Sequence, residues 1–192
     1  MGITESFKIK GMETLPDYVK HGLDVVFVGL NPSPHSIKVG HYYGNPRNRF
    51  WKALNLSGII ELELSTETDY KAIDYGIGFT DLVKRPTPQV KDLTAKDFQK
   101  WVPRAEQLLL EYQPLIVAFQ GVMAYKFFHR NTEGVNIAPK LGMQELQIGN
   151  SRIFVTPNPS PANAQYSIED LSRWYKELGD ARSKLKSSIQ IL

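Results

Sequence analysis

Short runs of apolar residues, mostly β-branched or aromatic, recur along this chain, and each run stops at a loop rich in glycine, proline or asparagine. Residues 24–30 form the first run, and residues 76–80 and 115–119 form two more. Runs this short and continuously apolar are typical of strands buried on both faces of a parallel sheet. Residues 146–148 and 152–156 flank a Gly-Asn-Ser turn and are predicted to form a hairpin or bulged pair.

Helical patterns separate these runs. Apolar residues recur at helical spacing in residues 48–57, 94–112 and 121–128 and from Ser167 to Leu178, and Pro103 is expected to interrupt the second of these helices. Strands that alternate with helices of this length form βαβ units. We therefore expect an α/β fold with a mostly parallel central sheet and helices on both faces.

The length of 192 residues and the hydrophobic fraction of 42% suit one globular domain. We expect a single domain over residues 1–192, with a core at about 20–180 and peripheral tails at 1–19 and 181–192. No run reaches the ~18 apolar residues of a membrane span, and the first residues lack the apolar segment of a secretory signal. We expect an intracellular monomer with no membrane association.

Several kinds of chemistry are disfavoured by residues that the chain lacks. Cysteine is absent, which excludes disulfides, thiolate zinc sites and cysteine-ligated iron–sulfur clusters. His35 and His41 share a loop, but two histidines without a third ligand are more often solvated than metal-bound. The glycine-rich, Walker, nucleophile-elbow and zinc-protease motifs of other α/β enzymes are also missing. We expect neither a metal nor a cofactor.

Positive charge is concentrated in one segment, although the net charge of the chain is only +3. Residues 25–60 contain no Asp or Glu, and they include Lys38, Arg47, Arg49 and Lys52. Such a segment could form a face that meets phosphate, or it could be a solvated region whose acidic counterparts lie elsewhere. The charge pattern alone favours neither reading.

Three unusual loops each follow a predicted strand, and they should converge because the functional crevice of a parallel sheet lies beyond the carboxyl ends of its strands. The first loop is residues 29–46. Asn31 stands where the strand ends, and its amide can donate to and accept from one water molecule. It cannot act as a strong base, but it can hold a nucleophile that arrives late at an oxocarbenium-like sugar. Tyr43 offers a flat face for an extruded base, whereas Tyr42 is at least as well explained as a core residue.

The second loop begins with residues 80–86, and it places Asp81 directly after its strand, beside the same crevice. A carboxylate there could stabilise a sugar cation, take the proton of an attacking water or accept a hydrogen bond from the imide N–H of a base. The alternative is a helix cap or an ion pair with Lys84 or Arg85.

The third loop is residues 156–166, and it combines prolines with amide side chains. Prolines limit the entropy lost when a loop is pressed against a partner, and small residues at 160–164 allow close approach to a DNA backbone. Asn163 and Gln165 carry amides that could read base edges. An ordinary surface loop is the alternative, but prolines beside amides favour contact.

Together the three loops resemble the mismatch-specific uracil/thymine DNA glycosylases, the branch of the uracil-DNA glycosylase superfamily that attacks U or T opposite guanine. The likeness spans nearly the whole chain and depends on four ordered motifs: Gly-Leu-Asn-Pro at 29–32, Asn-Pro-Arg-Asn-Arg-Phe-Trp-Lys at 45–52, Tyr-Gly-Ile-Gly-Phe-Thr at 75–80 with Arg85-Pro86-Thr87, and Pro-Asn-Pro-Ser at 157–160. The resemblance implies the three-layer α/β/α fold of that superfamily. It also implies hydrolysis of the N-glycosidic bond of uracil, or of thymine or a damaged pyrimidine, in G·U or G·T pairs without metal or cofactor.

The resemblance makes Asn31 the residue that positions water and Tyr43 the aromatic that stacks on the flipped base, and Asp81 is our second candidate for catalysis. The substrate-binding candidates lie in the first and third loops and are Leu30, Ser36, Tyr43, Asn158 and Ser160. Double-stranded DNA with a mispaired or damaged base is the expected partner. The residues expected to contact it are Arg47, Arg49, Lys52, Lys84, Pro161, Ala162, Asn163 and Gln165.

Two positions depart from the family. Relatives place a leucine or arginine wedge where this chain has Ala162, so either Asn163 substitutes for the wedge or the preferred base is already poorly stacked. Relatives have a neutral amide or lysine where this chain has Asp81. A DNA-binding module that recognises mismatches without cutting is the alternative function, because it would keep the cationic segment and the third loop but would not need Asn31 and Asp81.

Overall fold

The computed structural model describes residues 8–9 and 11–190. Its strands are β1 (Lys8–Ile9), β2 (Met12–Glu13), β3 (Val25–Gly29), β4 (Ile77–Asp81), β5 (Ile116–Gln120), β6 (Gly142–Ile148) and β7 (Ser151–Thr156). Strands β1 and β2 pair with each other, and the others form a five-stranded sheet in the order β4-β3-β5-β7-β6. All pairs in that sheet are parallel except β6–β7. The predicted α/β fold with a mostly parallel sheet is confirmed.

Five α-helices cover the sheet: α1 (Pro34–Val39), α2 (Phe50–Ser57), α3 (Ala95–Tyr112), α4 (Val122–Thr132) and α5 (Ile168–Gln190). Two 3-10 helices, Thr66–Tyr75 and Val90–Asp92, connect them to the strands. Helices α2 and α5 share one apolar core with the sheet, and α3 and α4 share the other. Within the described residues, no helix is both long and apolar enough to cross a membrane.

Strand β3 explains why its sequence is apolar at every position. Val25 and Phe27 contribute to the core on the α2–α5 side, whereas Val26 and Val28 contribute to the core on the α3–α4 side. Side chains of a strand alternate between the two faces of a sheet, so a strand covered on both faces needs apolar residues throughout.

Two local predictions differ from the structure. Helix α1 lies inside the first loop, where the sequence predicted irregular backbone; Pro34 begins it and the Ser33 hydroxyl accepts from the Ser36 N–H. Proline suits the first position of a helix because the N–H it lacks would have no partner there. Pro103 does not interrupt α3. It is exposed, as is Gln99 one turn earlier, so the carbonyl that loses its N–H donor faces water.

The residues expected to form tails also take part in the fold. Leu15 is buried, and Tyr18 exchanges two backbone hydrogen bonds with Phe79 of β4 at 2.9 and 3.0 Å. At the other end, α5 continues to Gln190, and Ala181 and Leu185 pack against the core. The parts of the predicted tails at 1–7, 10 and 191–192 lie outside the described residues.

Candidate active site

The first and second loops are joined where β3 and β4 end side by side. The backbone N–H groups of Leu82 and Val83 donate to the carbonyls of Gly29 and Leu30, at 2.9 Å each. These bonds extend the parallel pairing beyond the strands and bring Asn31 next to the second loop. The strand ends therefore hold these two loops together at the carboxyl edge of the sheet.

The orientation of the Asn31 amide is fixed by three acceptors, of which the Pro32 carbonyl, at 3.3 Å, is the most distant. Its Nδ2 donates to the Arg85 carbonyl at 3.0 Å and to the Thr87 Oγ1 at 2.8 Å. The Thr87 hydroxyl donates its own hydrogen to the Gln89 carbonyl at 2.9 Å, so its oxygen can only accept from Asn31. Among the described residues nothing donates to Asn31 Oδ1. This half-buried amide thus presents an acceptor oxygen, the atom that can receive a hydrogen bond from water.

Asp81 lies directly beside Gly29, its partner in the register between β3 and β4. A Cβ at position 29 would collide with Asp81 Oδ1, so the glycine permits this close approach. The side chain is only 4% exposed, and its Oδ2 is buried without a hydrogen-bond partner. Burial raises the pKa of Asp81 to about 6, against the opposing effect of the positive charge of Lys84.

Lys84 is buried, so the expectation that it contacts DNA is wrong. Its Nζ lies 2.6 Å from Asp17 Oδ1 and donates to the Leu15 carbonyl at 3.1 Å and the Tyr42 hydroxyl at 3.3 Å. Burial lowers the pKa of Lys84 to about 8, although the nearby Asp81 raises it. Arg104 of α3 also pairs with Asp17. Lys84 therefore ties the segment before β3 to the second loop.

Tyr43 is held in place by an aromatic cluster. Its ring stacks on Phe50, with ring centroids 3.8 Å apart and an interplanar angle of 13°, and meets Trp51 and Phe79 edge-on. Its φ of +53° is unusual for a residue other than glycine, and such strain persists only where the surroundings enforce it. Tyr42, by contrast, is a core residue whose hydroxyl donates to the Pro16 carbonyl at 2.8 Å.

Buried polar residues brace the turn that carries Tyr43. Ser36 is 4% exposed, and its Oγ accepts from the Gly44 N–H at 3.1 Å. The fully buried Asp69 accepts from the Tyr42 N–H at 2.7 Å, and its other oxygen lies 2.9 Å from His41 Nδ1. Burial raises the pKa of Asp69, and its hydrogen bonds to His41 and Tyr42 oppose that rise. Asp69 was not a sequence-based candidate, because nothing local relates it to a turn 27 residues earlier.

The third loop is folded by its own polar groups. Asn158 Oδ1 accepts from the Ser160 N–H at 2.9 Å, and Asn163 Nδ2 donates to the Asn158 carbonyl at 3.0 Å. Asn163 thus points its amide into the loop. Asn158, Ser160 and Asn163 are half-buried, whereas the tip is exposed at Pro161, Ala162, Ala164 and Gln165.

Arg49, the residue that precedes α2, connects the start of this helix to the third loop, and this corrects its expected role as a phosphate contact. Four of its guanidinium N–H groups donate to backbone carbonyls of the third loop, those of Pro159, Ser160, Asn163 and Tyr166. A guanidinium carries five N–H donors, so little capacity remains for phosphate. Arg47 and Lys52, the other two cationic candidates of this region, are exposed.

Gln120 is a further polar residue that the sequence analysis missed. It ends β5 at the carboxyl edge of the sheet and is 3% exposed. Its Oε1 accepts from the Tyr175 hydroxyl at 2.9 Å, and its Nε2 is buried without a partner. Its position at the end of a buried strand is the signal that could have identified it.

Two cavities lie away from these residues. One, of about 290 Å³, is lined by Tyr125, Lys140 and Gln144, and the other, of about 530 Å³, by Asp24, Arg182 and Lys186. The second lies near the amino ends of β3 and β4, opposite the three loops.

Comparison with known proteins gives a consistent result. The family model of the uracil DNA glycosylase superfamily matches residues 16–179. A solution NMR structure of a protein from Methanosarcina acetivorans, itself proposed to be a uracil DNA glycosylase, superposes with a TM-score of 0.58 at 21% identity. The match covers 90% of this chain and 97% of that protein. At this identity the structural likeness concerns the fold.

Proposed function

Since this chain belongs to the uracil DNA glycosylase superfamily, we propose that it hydrolyses the N-glycosidic bond of uracil, or of thymine, mispaired with guanine in DNA. Membership supports DNA glycosylase activity in general. The mismatch preference and the roles of individual residues are the parts that we add.

The orientation of the Asn31 amide carries the proposal. Its nitrogen is committed to the Arg85 carbonyl and the Thr87 hydroxyl, and Oδ1 accepts from no described residue. That oxygen can hold a water molecule without being a base. Such positioning suits a bond that breaks largely before the nucleophile arrives, since the transition state is then an oxocarbenium-like sugar that water needs only to meet in the right place.

The reaction follows from this arrangement. The bond between C1′ of the sugar and N1 of the pyrimidine breaks, and its electron pair leaves with the base. The oxygen of the water held by Asn31 then bonds to C1′. One proton of that water goes to solvent or to the departing base, and an abasic site remains. The ionised Asp81 carboxylate, with its unpaired Oδ2, would favour the positive sugar electrostatically.

Base recognition is assigned to Tyr43. One face of its ring is covered by Phe50, and the surrounding aromatic contacts fix its orientation. A rigid aromatic surface can receive an extruded pyrimidine and offset the stacking lost in the duplex. Arg47, just after the first loop, and Lys52 of α2 are exposed cations that could bind phosphate.

The mismatch preference is supported by the tip of the third loop. Pro161 and Ala162 are exposed there, and Asn163, the alternative wedge, uses its amide inside the loop. A tip this small would fill little of the hole that an extruded base leaves. Flipping would therefore be easiest for bases that are already poorly paired, as in G·U and G·T.

The test uses labelled duplexes that contain G·U, A·U or G·T, incubated with the purified protein and then treated with alkali to break the strand at abasic sites. Cleavage is expected for G·U and G·T before A·U. Asn31→Ala should abolish most cleavage while leaving duplex binding intact. Wild-type cleavage by Asn31→Ala would refute the assigned role, and duplex binding without any cleavage by the wild-type protein would favour a mismatch-binding module.

A further inference from the structure

We propose that Arg49 is a positioning residue that holds the third loop in register with Tyr43, so that entry of the loop into the DNA and seating of the base are coupled. The proposal depends on the proposed function for its consequence in catalysis. Its structural part, the restraint of the loop by Arg49, can be tested without any activity.

The contacts of Arg49 converge on one loop. Its NH2 donates to the Ser160 carbonyl at 2.9 Å and to the Asn163 carbonyl at 2.6 Å, its Nε to the Pro159 carbonyl at 3.4 Å, and its NH1 to the Tyr166 carbonyl. Its backbone N–H also donates to Pro159, at 3.3 Å. Hydrogen bonds from a charged donor are stronger than those between neutral groups. One side chain therefore contacts four carbonyls that are spread over residues 159–166.

Among the described residues, no other side chain outside the third loop donates hydrogen bonds to several of its carbonyls. Ser160, Ala162 and Asn163 make hydrogen bonds within the third loop, and these set its local turns without placing it relative to the rest of the protein. No carboxylate in the described part of the chain pairs with Arg49, so its charge is directed at backbone carbonyls alone. Pro159 is buried and Tyr166 packs against the core, and between these two anchors Arg49 supplies the polar restraint on the loop.

The position of Arg49 relates this restraint to the base. Arg49 precedes the first residue of α2, and that residue is Phe50, whose ring stacks on Tyr43 at 3.8 Å. One peptide bond thus separates Arg49, which holds the third loop, from Phe50, which supports the Tyr43 ring. A displacement of the loop relative to this helix would move the loop tip, which is proposed to contact DNA, away from its position relative to Tyr43. Misplacement by about 1 Å can cost on the order of a hundredfold in rate.

The experiment compares Arg49→Ala and Arg49→Lys with a control, Lys176→Ala. Lys176 is exposed on α5 and, within the described part of the chain, pairs only with Asp180, so its removal should change neither loop nor rate. Hydrogen–deuterium exchange of residues 158–166 reports on the restraint. Single-turnover cleavage of G·U duplex, normalised to the fraction of folded protein, reports on its consequence, and duplex affinity is measured separately.

In Arg49→Ala, amide exchange in residues 158–166 should accelerate at least about tenfold, and the normalised cleavage rate should fall on the order of a hundredfold. Duplex affinity should fall much less, because Arg47 and Lys52 remain. Guanidinium at millimolar, non-denaturing concentration should restore part of the rate, whereas sodium chloride at equal ionic strength should not. Arg49→Lys keeps the charge but has a single nitrogen, so it should recover little.

Unchanged exchange in the third loop of Arg49→Ala would overturn the proposal, and so would a normalised rate equal to that of the wild type. A loss of melting temperature alone, with a normal rate per folded molecule, would show a merely structural role and also overturn it. If the wild-type protein releases no base from any duplex, the proposed function fails, and the exchange measurement still decides whether Arg49 restrains the loop.

Discussion

The side-chain nitrogen of Asn31 donates a hydrogen bond to the hydroxyl of Thr87 at 2.8 Å, and the Thr87 hydroxyl in turn donates a hydrogen bond to the Gln89 carbonyl. These two hydrogen bonds fix the orientation of the Asn31 amide, which the asparagine residue by itself would leave free to rotate. Thr87 is buried in the second loop, beyond the strand that ends beside Asn31. A buried residue thereby determines which atom of Asn31 is presented.

Thr87→Val should therefore slow cleavage of a G·U duplex. The substitution removes one acceptor for Asn31 while the Arg85 carbonyl remains, so the loss should be about one hydrogen bond, or up to about tenfold in rate. Single-turnover kinetics on wild type, Thr87→Val and Thr87→Ser measure it. Thr87→Ser retains the hydroxyl, so its cleavage rate should stay close to that of the wild type. Equal rates for the serine and valine variants would show that the Thr87 hydroxyl does not orient Asn31.

The cleavage rate should rise with pH through a midpoint near 6, the value to which burial raises the pKa of Asp81. Only the ionised carboxylate stabilises a sugar cation or acts as a base. Asp81→Asn should have a lower rate at pH 8 and should lose this midpoint. A pH–rate profile of both proteins between pH 4.5 and 8.5 is the measurement, and an identical profile for the variant would assign Asp81 to structure.

Stability should follow the opposite trend with pH. Because the folded-state pKa of Asp81 is raised, its protonated form stabilises the fold below pH about 4, and that contribution is lost as pH rises through about 6. A shift of this size corresponds to about 3 kcal/mol in the free energy of unfolding. Denaturant unfolding at several pH values should show that the free energy of unfolding declines less with rising pH in Asp81→Asn than in the wild type. An equal dependence of the free energy of unfolding on pH in the two proteins would contradict the conclusion that burial destabilises the ionised Asp81.

Replacing Lys84 should lower stability without changing the salt dependence of DNA binding, and replacing Arg47 should do the reverse. Lys84→Met leaves Asp17 with Arg104 as its remaining ion-pair partner and removes the positive charge that acts on Asp81, which should cost up to about 3–5 kcal/mol of stability and lower the melting temperature on the order of 10 °C. The salt dependence of duplex binding should not change. Arg47→Ala should leave the melting temperature near wild type and reduce the slope of log affinity against log salt by about 1. A reduced slope in Lys84→Met would restore it as a phosphate contact.

Ala162→Leu should increase cleavage of A·U relative to G·U. A leucine at the exposed tip of the third loop would bury apolar surface in the space vacated by the base, which is worth about tenfold where the pair is intact and less where it is already mismatched. The ratio of single-turnover rates on the two duplexes is the measurement, with Ala164→Leu as a matched control on the same loop. If both variants change the ratio equally, Ala162 is not the wedge position.

The sequence was sufficient to predict the sheet and the edge at which the candidate residues lie. Continuous apolar runs predicted buried parallel strands, and the carboxyl ends of parallel strands meet at one edge, so Asn31, two residues after β3, and Asp81, the last residue of β4, were expected at the same edge. The strand residues supply this information locally, because burial on both faces and alternation with helices are both legible along the chain.

Tertiary structure alone decided which cations are free and which atoms the site presents. Arg49 and Lys84 look alike in sequence to Arg47 and Lys52, yet one holds carbonyls up to 117 positions away and the other pairs with Asp17 in the interior. The brace of Asp69 and the direction of the Asn31 amide likewise depend on partners 27 and 56 positions distant. The physical reason is that a side chain's role is set by the groups that desolvate it and share its hydrogen bonds, and those groups come together only when the chain has folded.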